Sequence, residues 1–433
     1  MRLTDWARRW VTLFSNGPVM PTLSPARTRL ALLALALGGF GIGTTEFVAM
    51  GLLPQIAQNL EPGLWETNQD GAISQAGWII TAYALGVVVG APTIAAFVAR
   101  FERKSVLLWL GVAFTLATVA SSLAPTFQWA IAFRFLAGLP HGAFFGIAAL
   151  AAAQLMGPAQ RGRAVAFVLA GLTVANVVGV PAITYLGQHA SWRVAYLAVA
   201  SIFALATLAI FAFVPRGEPD AHATMRRELR AFKRPAVWFA LATGALGFGG
   251  FFAVYSYVAP LVTEYTGKPE AFVPFVLVTL GIGMTTGNVI GGRLADRGAM
   301  KAIFQMFAVF AVSLVLLAFL ARNAVGLLVG VLLVGMSAAA LSPAIQTRLM
   351  DVAGDSQTMA AAVNHSSLNL GNSLGAFLGG AAIAAGWGYL APTWIGLALI
   401  VPGVLFALAG WAVTRRNPVA ASHPVDIEPV GAL

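Results

Sequence analysis

Residues 30–52 read LALLALALGGFGIGTTEFVAMGL, 23 residues with one charged side chain, Glu46. A helix needs about 20 predominantly apolar residues to cross the hydrocarbon core, at about 1.5 Å of rise per residue. A segment of this kind therefore reads as a membrane span rather than a buried helix of a soluble core. Eleven further runs follow, near 74–99, 105–123, 126–154, 163–187, 191–214, 236–262, 272–294, 301–320, 324–346, 358–384 and 391–413. The chain as a whole agrees: 59 % of its residues are hydrophobic, 10 % are charged and the mean hydropathy is +0.81. The expected fold class is an all-α polytopic membrane protein with twelve transmembrane helices.

The basic residues orient these spans. On one side lie the 1–29 leader, Arg100, Arg103 and Lys104, Arg161 and Arg163, the linker, Arg293, Arg297 and Lys301, Arg348, Arg415 and Arg416. They amount to 22 Lys and Arg, whereas the other side has three, Arg193, Lys268 and Arg322. The second side also carries Glu61, Glu66, Asp70, Glu264 and Glu270. An excess of this size puts the basic side, with both termini, in the cytoplasm. An odd number of spans would scramble the pattern, so the charges support twelve independently of hydropathy. The net charge of +10 is accounted for in the same way, and no nucleic-acid partner is expected. With no cysteine, disulfides, thiolate metal sites and a cysteine nucleophile are excluded. The first apolar run lacks a cleavage-site pattern, so no removable signal peptide is expected. The leader, with Trp6, Arg8, Arg9, Trp10 and Phe14, reads either as an amphipathic surface piece or as a tail.

Loops are short except for the charged stretch 215–235, in which Met225–Phe232 reads as a short surface helix. It splits the spans six and six. The organisation expected is a leader (1–29), a six-helix bundle (30–214), a linker (215–235), a second bundle (236–413) and a disordered tail (414–433). The halves echo each other. Leu172–Gly179 matches Leu368–Gly375 at an offset of 196, Ala137-Gly138-Leu139 matches Val334-Gly335-Met336 at 197, and Leu85-Gly86 matches Leu280-Gly281 at 195. Parallel repeats of this kind build one large class of secondary transporters, with the substrate bound between the halves near the midplane.

Three stretches resemble a known family. Gly43-Thr-Thr-Glu46-Phe47 with Leu53-Pro54 is similar to a first-span signature, Arg134-Phe-Leu-Ala-Gly138-Leu-Pro-His141-Gly142 to a fourth-span motif, and Gly292-Arg-Leu-Ala-Asp296-Arg297 to a loop motif. Over residues 30–413 the chain resembles the major facilitator superfamily, in particular its bacterial drug:proton antiporters close to AraJ-like sugar and drug efflux proteins. The resemblance implies two pseudo-symmetric six-helix bundles in the bacterial cytoplasmic (inner) membrane. It also implies alternating access, a small organic substrate, protons as coupling ions, no cofactor and no enzymatic activity. Gly292, Asp296 and Arg297 would then form a conformational gate. In the first-half loop, Ala99 and Glu102 replace the Asp and Gly of the pattern, so a capping interaction is expected to be missing there. In span 5, Gly179-Val180-Pro181 separates the Gly and Pro of an antiporter motif.

Polar residues inside the apolar field mark candidate sites. Glu46 is the one acid and Arg134 the one base well inside a span. Both fall in the half of the membrane away from the basic side, roughly 24 Å along span 1 and about 12 Å down span 4. A charge facing lipid is costly, so each is expected to face the protein interior and to seek a partner, which the other could be. A carboxyl there can load and release a proton as its surroundings alternate between water and a base. His141, seven residues after Arg134, returns to nearly the same face and is a candidate relay; no second ligand on its helix suggests a metal. Span 11 carries Asn364, His365, Ser366, Asn369, Asn372 and Ser373, with His365, Asn369 and Asn372 on one face and Asn176 as the span 5 counterpart. This stripe reads either as cavity lining or as helix–helix hydrogen bonding. Gly371, Gly375 and Gly379 form a ridge suited to close helix packing. Phe248, Phe251 and Tyr255 give span 7 an aromatic face fit for an amphipathic or aromatic substrate.

The leading expectation is proton-coupled export of a small organic compound by a monomer in contact with lipid, with Glu46 as proton carrier and Arg134 or His141 as modulators. Import of a sugar or nucleoside by a facilitator or symporter, and a non-transporting receptor or structural role, are the alternatives.

Overall fold

The computed structural model describes residues 24–98, 101–157, 160–216, 234–353 and 357–416. The expectations for residues 1–23, for the linker helix Met225–Phe232 and for the tail beyond Arg416 lie outside them. Twelve long helices are present and no strand occurs among the described residues. They are α1 (Pro25–Gly51), α2 (Gln69–Val98), α3 (Arg103–Ser122), α4 (Phe127–Met156), α5 (161–189), α6 (Trp192–Phe213), α7 (235–265), α8 (Val273–Asp296), α9 (Ala299–Leu320), α10 (Ala324–Ala353), α11 (Gln357–Ala384) and α12 (Ala391–Arg416). Among the described residues eleven are long and apolar enough to cross a membrane. The twelfth, α11, carries the polar stripe of Asn364, His365, Ser366, Asn369, Asn372 and Ser373.

Local chemistry explains the irregularities. Between α1 and α2 the chain forms two short helices, Leu53–Leu60 and Pro62–Thr67, each opened by a proline in its first turn, which the sequence reading treats as loop. α5 passes through a π turn at Ala175–Gly179 just before Pro181, whose missing N–H and bulky ring disturb the regular ladder. Pro260 precedes a second π turn, Leu261–Tyr265, at the end of α7. Glu102 accepts hydrogen bonds from the backbone of Lys104 and Ser105, so it caps α3 at the position where the loop pattern has a glycine; Ala99, which stands for the Asp of the pattern, lies outside the described residues.

The internal repeat is visible in the packing. A Cβ on Gly86 would collide with the Phe135 carbonyl, and one on Gly283 with that of Leu332; Gly138 meets the Tyr83 carbonyl as Gly335 meets that of Leu280. All four relations connect at an offset of 197. The counterpart of Gly86 is therefore Gly283, not Gly281 as the sequence echo has it. Gly171 approaches the Ala36 carbonyl of α1 as Gly371 and Gly375 approach the Ala245 and Gly249 carbonyls of α7, so α5 packs on α1 as α11 packs on α7. Gly371 and Gly375 of the glycine ridge lie against the α7 backbone, and Gly379 against Tyr257.

We call the side bearing the basic loops the basic face and its opposite the far face. Towards the far face one apolar core runs through both halves, joining Phe47, Ile56 and Ile80 to Phe251, Tyr257 and Leu277. Towards the basic face the first half keeps a separate core around Leu35, Leu107 and Val168. Hydrogen bonds repeat this asymmetry. Gln55 Nε2 donates to the Glu270 carboxylate (2.8 Å), Gln188 Nε2 to the Glu270 carbonyl (2.9 Å) and the Tyr389 phenol to Asp70, all across the halves on the far face. Between described residues no hydrogen bond joins the halves on the basic face. The protein is closed on the far side.

Candidate functional site

Glu46 sits on the last turns of α1, five residues from its end, and is buried. Its recorded partner is Asn372 on α11, whose Nδ2 donates to Oε1 at 3.3 Å. The carboxyl thus touches the other half of the molecule. Arg134 on α4 is fully buried and turns elsewhere: its guanidinium donates to the Thr45 hydroxyl (3.3 Å) and carbonyl (3.1 Å). It lies 4.0 Å from the ring centre of Tyr83 and 5.3 Å from that of Tyr196. The Glu46–Arg134 contact that their matching depths allow is not made here. The adjacent Thr45 accepts from the cation and two phenol rings lie beside it, which suits a weakly hydrated planar cation.

From Tyr83 a chain of rings leads toward the basic face. The Tyr83 hydroxyl and His141 Nδ1 are 3.0 Å apart, and the His141 ring meets Phe145 at 5.5 Å between centres. Phe145 stacks on His365 of α11 at 5.2 Å with the planes 3° from parallel. His141 and His365, read from separate spans, are therefore ends of one ring ladder crossing between the halves. Around Glu46 a second aromatic group forms. Phe47 stacks on Tyr255 at 5.3 Å, Tyr255 lies 5.3 Å from Phe251, and Phe248 reaches the group through Phe252. The aromatic face of α7 is thus turned to α1, and Phe248, Phe251 and Tyr255 are all buried.

The remaining candidates separate from this centre. Asn369 Nδ2 closes on the His365 carbonyl of its own helix, and Asn176 Nδ2 on that of Leu172. The side-chain oxygens of Asn176, Asn369 and Asn372 are buried without a partner, as is Arg134 Nε. Unpartnered buried polar atoms are costly and mark places where a ligand or solvent group can be received. Gly292, Asp296 and Arg297 stand at the basic end of α8, far from the centre along the helix; the two charged side chains are exposed and hold no hydrogen bond or ion pair. Sequence reasoning missed Tyr83 and Tyr196, and read Thr45 and Phe47 only as parts of the first-span signature. Tyr83 and Tyr196 could have been suspected as polar-tipped residues inside apolar spans.

Two helical halves meeting around buried polar groups at membrane depth define a membrane carrier. The family model for the Major Facilitator Superfamily matches residues 35–304 and 253–431. The inner membrane transport protein YdhP of Escherichia coli (strain K12) is 40 % identical over 358 residues, 83 % of this chain and 90 % of YdhP. A chloramphenicol resistance protein of Streptomyces lividans is 33 % identical over 401 residues, 92 % of this chain and 99 % of that protein. Among solved structures, a bacterial homolog of the human lysosomal transporter Spinster superposes with a TM-score of 0.70 at 17 % identity, covering 93 % of this chain and all of the other. The chain belongs to the major facilitator superfamily, a family of transport proteins rather than enzymes.

Proposed function

We propose that this chain exports a small organic compound from the cytoplasm in exchange for protons, the halves 30–214 and 236–413 rocking about the seam around Glu46. The observation that carries the reading is the Glu46–Asn372 hydrogen bond, which ties the one deep carboxyl to the opposite half and leaves it outside any ion pair with Arg134. A carboxyl so placed changes its surroundings whenever the halves move, which is what proton coupling needs. The likeness to a chloramphenicol resistance protein favours outward transport. The 22-to-3 asymmetry of basic residues favours cytoplasmic termini in an inner membrane, and the aromatic group of Phe248, Phe251 and Tyr255 favours an amphipathic or aromatic substrate. Asp296 and Arg297, free in this arrangement, would latch the basic face when it closes. Nothing in this scheme needs a second copy of the chain.

The test is proton release from purified protein on addition of a substrate taken from an antibiotic and metabolite panel, chloramphenicol first. Antiport predicts release near neutral pH by the wild type and none by Glu46→Gln. Binding and flux of a hit without proton movement, or proton movement undiminished in Glu46→Gln, overturns the reading.

A further inference from the structure

Where α2 of the first half passes α11 of the second, a pocket of about 210 Å³ lies in the seam, its wall including Ser74, Gly77, Trp78, Thr81, Phe377 and Ala381. It is separate from the Glu46 centre and uses none of its residues. Ser74 and Thr81 stand about 8 and 18 Å along α2 from its far end, which puts the pocket at the depth of the outer hydrocarbon layer when α2 spans a membrane. Its mouth is formed by Trp78 and Phe377, packed edge to face at 5.4 Å and each close to half exposed (44 and 45 %).

Its wall also holds polar groups without partners. In this chain the hydroxyls of Thr44, Thr93, Thr118, Thr207, Thr243 and Thr279 donate to the carbonyl four residues earlier, the usual solution for threonine in an apolar helix. Thr81, 3 % exposed, does not, and its hydroxyl, like that of Thr184 elsewhere, has no partner; Ser74, half-buried two turns earlier on the same face, holds no hydrogen bond to a described residue. At the back, the Tyr257 phenol donates to the Ala376 carbonyl at 2.7 Å, in space left by Gly77 of one half and Gly380 of the other. The pocket therefore has an aromatic mouth, free hydroxyls and walls from both halves. Its size suits one substituted ring, since an apolar cavity of about 150 Å³ takes up benzene.

We propose that this seam pocket binds small hydroxyl-bearing aromatic molecules dissolved in the bilayer, and that an occupant holds the far ends of the two halves together. The second part follows from the first. A molecule touching Ser74 and Thr81 on one side and Phe377 and Ala381 on the other loses half its contacts when α2 and α11 part, so it binds the far-closed arrangement better and shifts the population toward it.

The probe is 4-bromophenol, with bromobenzene as the control of equal shape lacking the hydroxyl, both added to protein in lipid nanodiscs and both expressed as bilayer concentrations. Bromine quenches tryptophan on contact, and the contribution of Trp78 is the difference between wild type and Trp78→Phe. Expected are saturable quenching of that component at about tenfold lower 4-bromophenol than bromobenzene, the effect of one net hydrogen bond, and loss of this preference in Ser74→Ala/Thr81→Val. A Gln55→Cys/Glu270→Cys pair, in a chain with no cysteine of its own, should cross-link faster with a short bismaleimide when 4-bromophenol is present. Quenching that does not saturate, is equal for the two probes or survives unchanged in Trp78→Phe overturns the site. Saturable binding with unchanged or slower cross-linking overturns the clamp.

Discussion

Asn372 donates to Glu46 across the seam between the halves at 3.3 Å, while Arg134 spends its own donors on Thr45. The choice of an amide as partner has a chemical consequence. A base would hold the carboxyl ionised, whereas an amide serves both states: Nδ2 donates to a carboxylate, and Oδ1, buried and unpartnered here, accepts from a protonated acid. Glu46 can thus keep one neighbour through a change of protonation. Replacing it by Gln, which fills the same space and cannot titrate, should leave the fold and substrate binding intact, abolish substrate-driven proton release and prevent accumulation against a gradient. Counterflow in proteoliposomes without a pH gradient should persist. Loss of binding together with coupling would assign Glu46 a structural role instead.

Asn372 and Asn176, paired by sequence, differ in what they hold. Asn372 bonds the carboxyl of the other half, and Asn176 the Leu172 carbonyl of its own helix. Asn372→Leu should therefore cut proton-driven transport by up to about tenfold, since a net hydrogen bond contributes about 0.5–1.5 kcal/mol. Asn176→Leu should leave the coupling ratio of protons to substrate unchanged. Equal effects of the two substitutions on that ratio would remove Asn372 from the coupling centre.

The spans and their order were legible because lipid enforces them: a backbone in hydrocarbon has to satisfy its own hydrogen bonds, and only long apolar helices do so here. Eleven of the twelve read strongly for that reason. The polar stripe from Asn364 to Ser373 weakens the signal of α11 and is also what brings that helix to the site. The repeat register was less legible. Glycine is common throughout, so Gly86 aligned as readily with Gly281 as with Gly283; only the carbonyls of Phe135 and Leu332, against which Gly86 and Gly283 pack, decide between them. At the site, rarity exposed Glu46, Arg134 and His141. Tyr83 and Tyr196 stayed hidden because an aromatic ring in an apolar helix acquires its role from neighbours on other helices, which the linear pattern does not carry.

Charge alone does not define the place of Arg134. The guanidinium lies over Tyr83 and faces Tyr196 while giving two bonds to Thr45. A lysine keeps the charge but has neither the plane nor the fork. Arg134→Lys should lower stability in detergent by about 2 kcal/mol, the size of a hydrogen bond from a charged group that a single ammonium cannot keep in the fork geometry, and should impair transport as strongly as Arg134→Gln. Thermal unfolding and substrate efflux measured on both variants check this. Full activity in the lysine variant would show that only the positive charge matters.

The far-face latch between Tyr389 and Asp70 carries its own pH signature. Tyr389 precedes α12 outside the spans, and its phenol donates to the Asp70 carboxylate at the start of α2. Burial, then that hydrogen bond and the negative charges of Asp70 and Glu264, push the phenol above its ordinary value. For a group raised on folding, the stabilisation is fully present below the unfolded value, about 10 for tyrosine, and is lost as pH rises through the folded one. The latch should therefore hold unchanged through neutral pH and weaken only in strong alkali. In the ultraviolet titration, wild type minus Tyr389→Phe should show phenolate appearing above the range of the exposed tyrosines. Tyr389→Phe itself should open the far face more often at neutral pH, seen as faster labelling of a cysteine placed at Gln55 (Gln55→Cys). A Tyr389 component that titrates with the exposed tyrosines, or labelling unaffected by its removal, would mean that the bond to Asp70 does not help to close this side.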